Sequence, residues 1–202
     1  MKEKRKAWKE NMSGYAPEKL VFLDESGINV NMTRFYARSN GGSRAVDAVP
    51  LRKPQNTTVL SSFRLNGETA YTTYSGGTTS ERFVDYLRNV LIPTLSPDSI
   101  VVMDNMRSHH TRAVKDLLEQ AGVQYLYLPP YSPDLNPIEK MWSKLKAFLR
   151  RQKFVCWRTC RMLFALLSKR FLLMTVLAGF AFVDIRANLL DCYKMIRPGG
   201  EA

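Results

Sequence analysis

Cysteine is scarce in this chain: three among 202 residues, Cys156, Cys160 and Cys192. All three fall in the last quarter, with no CxxC spacing and no histidine nearby, which argues against zinc and against a disulfide framework. Long apolar runs are also missing. The N-terminus is charged and lacks the apolar stretch of a signal peptide, so no secretory leader is expected and a cytosolic, reducing compartment is the default. Two hydrophobic stretches near the end, MLFALLS and FLLMTVLAGFAFV, are separated by Lys169-Arg170, and the longer is too short to span a membrane. Negative charge is the third shortage. Eighteen Asp and Glu stand against 30 Lys and Arg, a net charge of +12 with a pI near 9.8. That balance points to a polyanionic partner, nucleic acid before membrane. With 45% hydrophobic residues the chain can bury a core, and its length suits one domain, or one and a half.

The most defined stretch is 129–151, PPYSPDLNPIEKMWSKLKAFLRR. Pro129, Pro130 and Pro133 keep the approach extended, because proline fixes φ and biases its predecessor away from the helical region. Asn136 then suits an N-cap and Pro137 the first helical position, where a missing N–H costs nothing. Glu139 falls in the first turn. Ile138, Met141, Trp142, Leu145, Phe148 and Leu149 recur at helical spacing and should face a core. Lys140, Lys144, Lys146, Arg150 and Arg151 fill the remaining positions. Read alone, Glu139 is first of all a helix-start carboxylate favoured by the macrodipole.

Two upstream stretches change its meaning. Residues 20–24 (LVFLD) and 100–104 (IVVMD) are short apolar runs that each end in aspartate. Such runs read as buried strands of a sheet covered on both faces. An aspartate at the end of a buried strand is poorly solvated unless paired or bound to a metal. Two of these and a helix-start glutamate make a site suited to hard divalent cations. Glu25, next to Asp24, should point to the opposite face and is not expected to be a ligand.

The segments FLDESG, VVMDNMRSHH and PYSPDLNPIEKMWSKLK resemble the catalytic domain of DDE transposases, in particular the insertion sequence 630 type, the bacterial branch of the mariner-like superfamily. Residues 105–138, 34 in number, separate the last two acids, which matches that branch. The resemblance covers roughly residues 20–151. It implies a ribonuclease H-like fold, a mixed five-stranded sheet flanked by helices. It makes Asp24, Asp104 and Glu139 the catalytic, metal-binding triad, holding two Mg²⁺ or Mn²⁺ ions. Asn105 follows the second aspartate and could orient a metal-bound water or a phosphate oxygen. His109 or His110 could hydrogen-bond a group that supports the site, or one of them could simply cap or pack the following helix. The implied partners are double-stranded DNA, both transposon ends and target, and further copies of the chain assembled on it. The implied location is the bacterial nucleoid. No membrane partner is expected.

The remaining chain fits that element order. Residues 57–65 and 68–74 read as strands joined through Asn66-Gly67, a hairpin signal. Thr78 and Glu81 form a capping box that opens a helix through Phe83, Tyr86, Leu87, Val90 and Leu91, with Pro93 and Pro97 at its exit. A helix over 111–121 ends at Gly122, and 123–128 is a further strand. Arg44, Arg52 and Lys53 sit in an irregular stretch after the SNGGS loop. With the basic residues of the last helix, they are candidates for phosphate contacts.

Residues 1–19 read as a basic linker, with Trp8 and Tyr15 as possible anchors. In the resembling family this position joins an upstream helix-turn-helix DNA-binding region to the catalytic domain of 20–152. The chain is then expected to be a fragment, or the second of two reading frames with that region as a separate subunit. The tail, 153–202, departs from the family, which commonly closes on W-F-x-x-C-G-Y. Yet 174–186 (MTVLAGFAFVDIR), with suitable synonymous codons read from each third base, can yield DCLGWFRFCGYT. A frame departure near 151–154 is therefore expected, against the alternative of a divergent but genuine helix pair. Three functions stay open on the sequence. They are a transposase, a metal-dependent nuclease on the same fold, and a catalytically inactive DNA-binding remnant.

Overall fold

The computed structural model describes residues 2–29, 31–33, 36–48 and 56–152. Arg52, Lys53, the three cysteines and the whole tail with its expected change of frame lie outside the described residues.

Helix α1 (Lys2–Met12) comes first. Strands β1 (Leu20–Ile28), β2 (Thr57–Arg64) and β3 (Tyr71–Ser75) follow. Then come α2 (Ser80–Tyr86), β4 (Ile100–Met103), α3 (Arg112–Gln120), β5 (Gln124–Tyr127) and α4 (Ile138–Gln152). The strands form one sheet in the order β3-β2-β1-β4-β5. The β1–β2 and β2–β3 pairs are antiparallel, whereas β1–β4 and β4–β5 are parallel. This is the mixed five-stranded sheet that the resemblance implies.

Strand alternation divides the core into two layers. On one face, Leu20 and Phe22 of β1 and Ile100 and Val102 of β4 pack with Ile138, Met141, Trp142, Leu145 and Leu149 of α4 and with Met12 of α1. On the other, Val21, Leu23, Val101 and Met103 pack with Phe83 and Tyr86 of α2 and Val114 and Leu118 of α3. Full burial of side chains this size contributes roughly 1.5–3 kcal/mol each. The same parity carries Asp24 and Asp104 to the α4 face and Glu25 to the other.

Several boundaries differ from the sequence expectation. The basic linker contains an eleven-residue helix: Trp8 and Tyr15 pack against the α4-side core beside the buried Met12. Arg5 fixes it further, donating to Ser132 Oγ at 3.0 Å and pairing with Asp134 in the loop before α4. The cap of α2 is Thr79, which accepts from the Arg82 N–H, and not Thr78. The Thr78 hydroxyl is committed to the Tyr74 hydroxyl at 2.6 Å. Past Tyr86 the helix widens into a π-turn at Leu87–Leu91 and leaves through a 3₁₀ turn at Ile92–Thr94. Pro93 there has no N–H to continue the α ladder.

Candidate active site

The strand expected to end at Asp24 runs four residues further, to Ile28. Its antiparallel pairing with β2 continues to Ile28↔Thr57, while the parallel pairing with β4 stops at Phe22↔Val102. Asp24 therefore lies where one neighbour has ended, and this opens a notch in the sheet. Asp104 follows directly on β4 and lies on the same side of that notch. Helix α4 crosses this face, and its first turn brings Glu139 to the rim. The three carboxylates line one cavity of about 430 Å³, together with Asn105, Asn136, Tyr131 and the prolines of the 129–133 loop. A larger cavity of about 510 Å³ lies beside the β2–β3 turn. It holds one loose ion pair, Arg64–Glu68 at 3.8 Å, and no gathered acids, so its size does not make it the site.

Each carboxylate has a different environment. Asp24 is 9% exposed and accepts from Trp142 Nε1 at 3.1 Å on Oδ2. Burial, reinforced by the charge of Glu139, pushes its carboxyl up to about 8. Asp104 is also pulled upward by burial, but the hydrogen bonds from His109 and the Met106 N–H outweigh this and hold it below the usual range. Both bonds fall on Oδ1, at 2.8 and 3.0 Å. Glu139 is raised by partial burial and by Asp104, against the opposing charge of Lys146. Among the described residues no three His, Cys, Asp or Glu side chains are gathered closely enough to enclose an ion. The triad instead forms a shared cavity wall.

His109 is fully buried, stacked on Phe83 with ring centroids 4.0 Å apart. Its Nδ1 faces Asp104, and its Nε2 lies 3.0 Å from Glu25 Oε1. Desolvation alone would lower its pKa, but the two carboxylates raise it to about 9. His110 is exposed; it contacts Asn105 Oδ1 at 3.0 Å and stacks on Tyr127. Asn105 also donates to the Leu128 carbonyl, tying the ends of β4 and β5. Asn136 has extended backbone, and its carbonyl accepts from the Glu139 N–H at 3.2 Å. Its expected side-chain cap is not made: Asn136 Oδ1 is buried without a hydrogen-bond partner.

The basic candidates divide by position. Lys146 and Arg150 follow Glu139 at i+7 and i+11, on the same side of α4. Lys140, Lys144 and Arg151 share an adjacent flank. Lys144, Arg150, Arg151 and, in the loop at residues 36–48, Arg44 are exposed; Lys140 and Lys146 are partly covered. Sequence reasoning missed two residues. Trp142 read only as core, although a buried indole N–H needs an acceptor. Glu25 was set aside by strand parity, although a buried carboxylate needs a partner on whichever face it takes.

This geometry belongs to a recognisable class. The family model of the DDE superfamily endonuclease matches residues 19–161, and the chain belongs to that family. It is similar to the Transposable element Tcb2 transposase of Caenorhabditis briggsae, 33% identical over 76 residues that cover 35% of this chain and 28% of the relative. Among solved structures it resembles the Mos1 mariner paired end complex with Mn, at 24% identity and a TM-score of 0.75, covering 90% of this chain and 58% of that one. It also resembles the catalytic domain of Mos1 mariner transposase, at 19% identity and a TM-score of 0.64, covering 91% and 88%. These likenesses establish the ribonuclease H-like fold. The match spans about a quarter of the Tcb2 protein and under two thirds of the Mos1 chain in that paired end complex. No helix among the described residues is long and apolar enough to cross a membrane.

Proposed function

We propose that this chain is the catalytic part of a mariner-like transposase of the insertion sequence 630 type. It would cleave double-stranded DNA at transposon ends and transfer the freed 3′-end to target DNA. The observation that carries the reading is the convergence of Asp24, Asp104 and Glu139 on one cavity wall, from two parallel strands and the helix that crosses them. A donor set made of carboxylate oxygens suits Mg²⁺ or Mn²⁺ over softer ions. The unpartnered amide oxygen of Asn136 in the same wall is a polar group that such a site can use. Asp24, Asp104 and Glu139 would hold the ions. When bound, a pair of them activates the attacking oxygen and stabilises the leaving one in an in-line displacement at phosphorus.

The residues around the triad have separate tasks in this reading. His109 and the Met106 N–H hold one oxygen of Asp104, and Trp142 holds one oxygen of Asp24, so each carboxylate keeps a fixed orientation. Asn105 and His110 brace the loop that follows Asp104. Lys146 and Arg150, in line with Glu139, would take phosphates beside the reacting centre. Lys140, Lys144, Arg151, Arg44, Arg52 and Lys53 would contact DNA further out. Sequence-specific end recognition would come from an upstream helix-turn-helix region, on the same chain or as a separate subunit. The active species would be an oligomer assembled on DNA in the bacterial nucleoid. Residues 20–152 form the catalytic domain in this reading, with residues 1–19 its docked leader. The tail from residue 153 would be the product of a frame change, testable by reading its codons.

The test is a calorimetric Mn²⁺ titration of the whole chain beside Asp104→Ala, followed by incubation with DNA carrying the element's ends. Binding that is lost in the variant, with cleavage and joining at those ends, is the expected result. Cutting without end preference would replace the reading with a nuclease. A soluble chain that binds DNA but no Mn²⁺ would replace it with an inactive remnant.

A further inference from the structure

We infer that Glu25 is a positioning residue for the metal site, setting the orientation of Asp104 through His109. This rests on the triad reading above and extends it to a residue on the other face of the sheet.

Two contacts make the chain. Glu25 Oε1 lies 3.0 Å from His109 Nε2, and His109 Nδ1 lies 2.8 Å from Asp104 Oδ1. The imidazole is clamped between Phe83, stacked at 4.0 Å, and its two carboxylates. The Tyr127 hydroxyl donates to the His109 carbonyl at 2.9 Å and fixes its backbone. Any swing of the ring that weakened one carboxylate contact would strain the other. Asp104, whose side chain is 41% exposed, is the one member of the three that reaches the cavity. The carboxylate on the open side is thus held by one buried on the far side.

A purely structural ion pair explains these observations less well. The Glu25 side chain is only 7% exposed, and its second oxygen, Oε2, is buried with no hydrogen-bond partner. A buried pair left half satisfied contributes little net stability, and apolar residues of similar volume often do as well or better. What such residues cannot do is hold the outer nitrogen of a histidine whose inner nitrogen holds a metal-binding carboxylate. Outer partners of that kind typically change metal affinity by about 10–100-fold.

The experiment is Mn²⁺ calorimetry on the full chain, with folding followed by circular dichroism. Glu25→Met keeps the volume and removes both oxygens; Glu25→Gln keeps an oxygen that can accept from His109. His109→Asn places an amide nitrogen near the position of Nδ1, so it keeps a donor toward Asp104 and cuts the path to Glu25. Glu25→Met should remain folded and bind Mn²⁺ about tenfold more weakly or worse, with Glu25→Gln recovering most of the loss. In the His109→Asn background, Glu25→Met should cause no further loss, because the two residues act as one unit. Wild-type Mn²⁺ affinity in folded Glu25→Met, or a loss that persists undiminished beside His109→Asn, overturns the inference and leaves the triad reading standing. If Glu25→Met does not fold, Glu25→Asp, which withdraws the carboxylate by one methylene, is read the same way. A wild-type chain that binds no Mn²⁺ overturns both.

Discussion

Replacing Asp24 with asparagine should stabilise the metal-free chain at neutral pH, against the usual rule that altering a buried polar residue weakens a protein. Asp24 has a folded-state pKa of about 8 against an ordinary 3.8, because it is buried and faces Glu139. The folded chain therefore binds this proton more tightly than the unfolded chain. Stability should fall as pH climbs from 3.8 to about 8, by up to roughly 1.4 kcal/mol per pH unit and about 6 kcal/mol in total as a ceiling. His109 adds a second fall in both proteins. Its pKa is raised from 6.5 to about 9, so its contribution is complete below 6.5 and disappears as pH rises through 9. The window from about pH 5 to 6.5 isolates Asp24 from His109, and wild type should lose about 2 kcal/mol across it. Glu139, also raised, contributes equally to both proteins. The amide introduced by Asp24→Asn can still accept from the Trp142 N–H through its oxygen, and it does not titrate. Urea unfolding in EDTA across that window checks the difference. Parallel stability curves for wild type and Asp24→Asn would refute the claim that burial and Glu139 hold a proton on this carboxyl.

Three further outcomes follow from the same geometry. Mn²⁺ should displace the Asp24 proton, so affinity should rise with pH up to about 8, and calorimetry in buffers of different ionisation enthalpy should report close to one proton released near neutral pH. Trp142→Phe removes the donor to Asp24 and should cost about 1–3 kcal/mol in urea unfolding, with Mn²⁺ binding weakened as well; unchanged binding would mean the indole is only core. Lys144→Glu or Arg151→Glu should each lower the salt slope of DNA binding by about one while leaving Mn²⁺ affinity alone, measured by fluorescence anisotropy over a salt series.

The fold was legible because its strongest signals are local. Proline and glycine at 129–137, 66–67 and 122 punctuate the chain, and apolar runs at 20–23 and 100–103 have the length of buried strands. Of the three acids proposed as the triad, Asp104 and Glu139 stand where a periodic segment meets a turn, whereas Asp24 lies inside β1 and was picked out only because the apolar run stops there. The errors have physical causes. β1 continued past Asp24 because an antiparallel neighbour paired its polar end, and pairing partners are not visible in one strand's composition. The α2 cap moved by one residue because Thr78 had a distant claimant in Tyr74. Docking of α1 depends on Arg5 meeting Ser132 and Asp134, 127 and 129 positions away, a contact that no periodicity encodes. Glu25 and Trp142 were underrated because parity and helical spacing say which face a side chain takes but not which polar atom waits there.

The two strand aspartates show why those hidden partners matter to function. Both are carried on apolar strands that would, untended, raise their pKa values together. Instead the fold separates them. His109, backed by Glu25, keeps Asp104 below the usual carboxylate range, while Asp24 keeps a proton at neutral pH. Before any cation arrives, the cavity thus holds one firmly ionised strand aspartate and one neutral one, which lowers the repulsion that two adjacent carboxylates would otherwise impose on the folded chain. In the proposed reading, the ionised member would offer an entry point for a first cation. That cation's charge would then favour loss of the Asp24 proton and open a second carboxylate to binding. The asymmetry comes from which neighbour each aspartate meets: His109, stacked on Phe83 of α2, tunes Asp104, and the neutral Asp24 sits against Trp142 of α4. Exchanging those environments would leave the same three acids in the same cavity, with the easily ionised carboxylate buried against Trp142 instead of at the open rim.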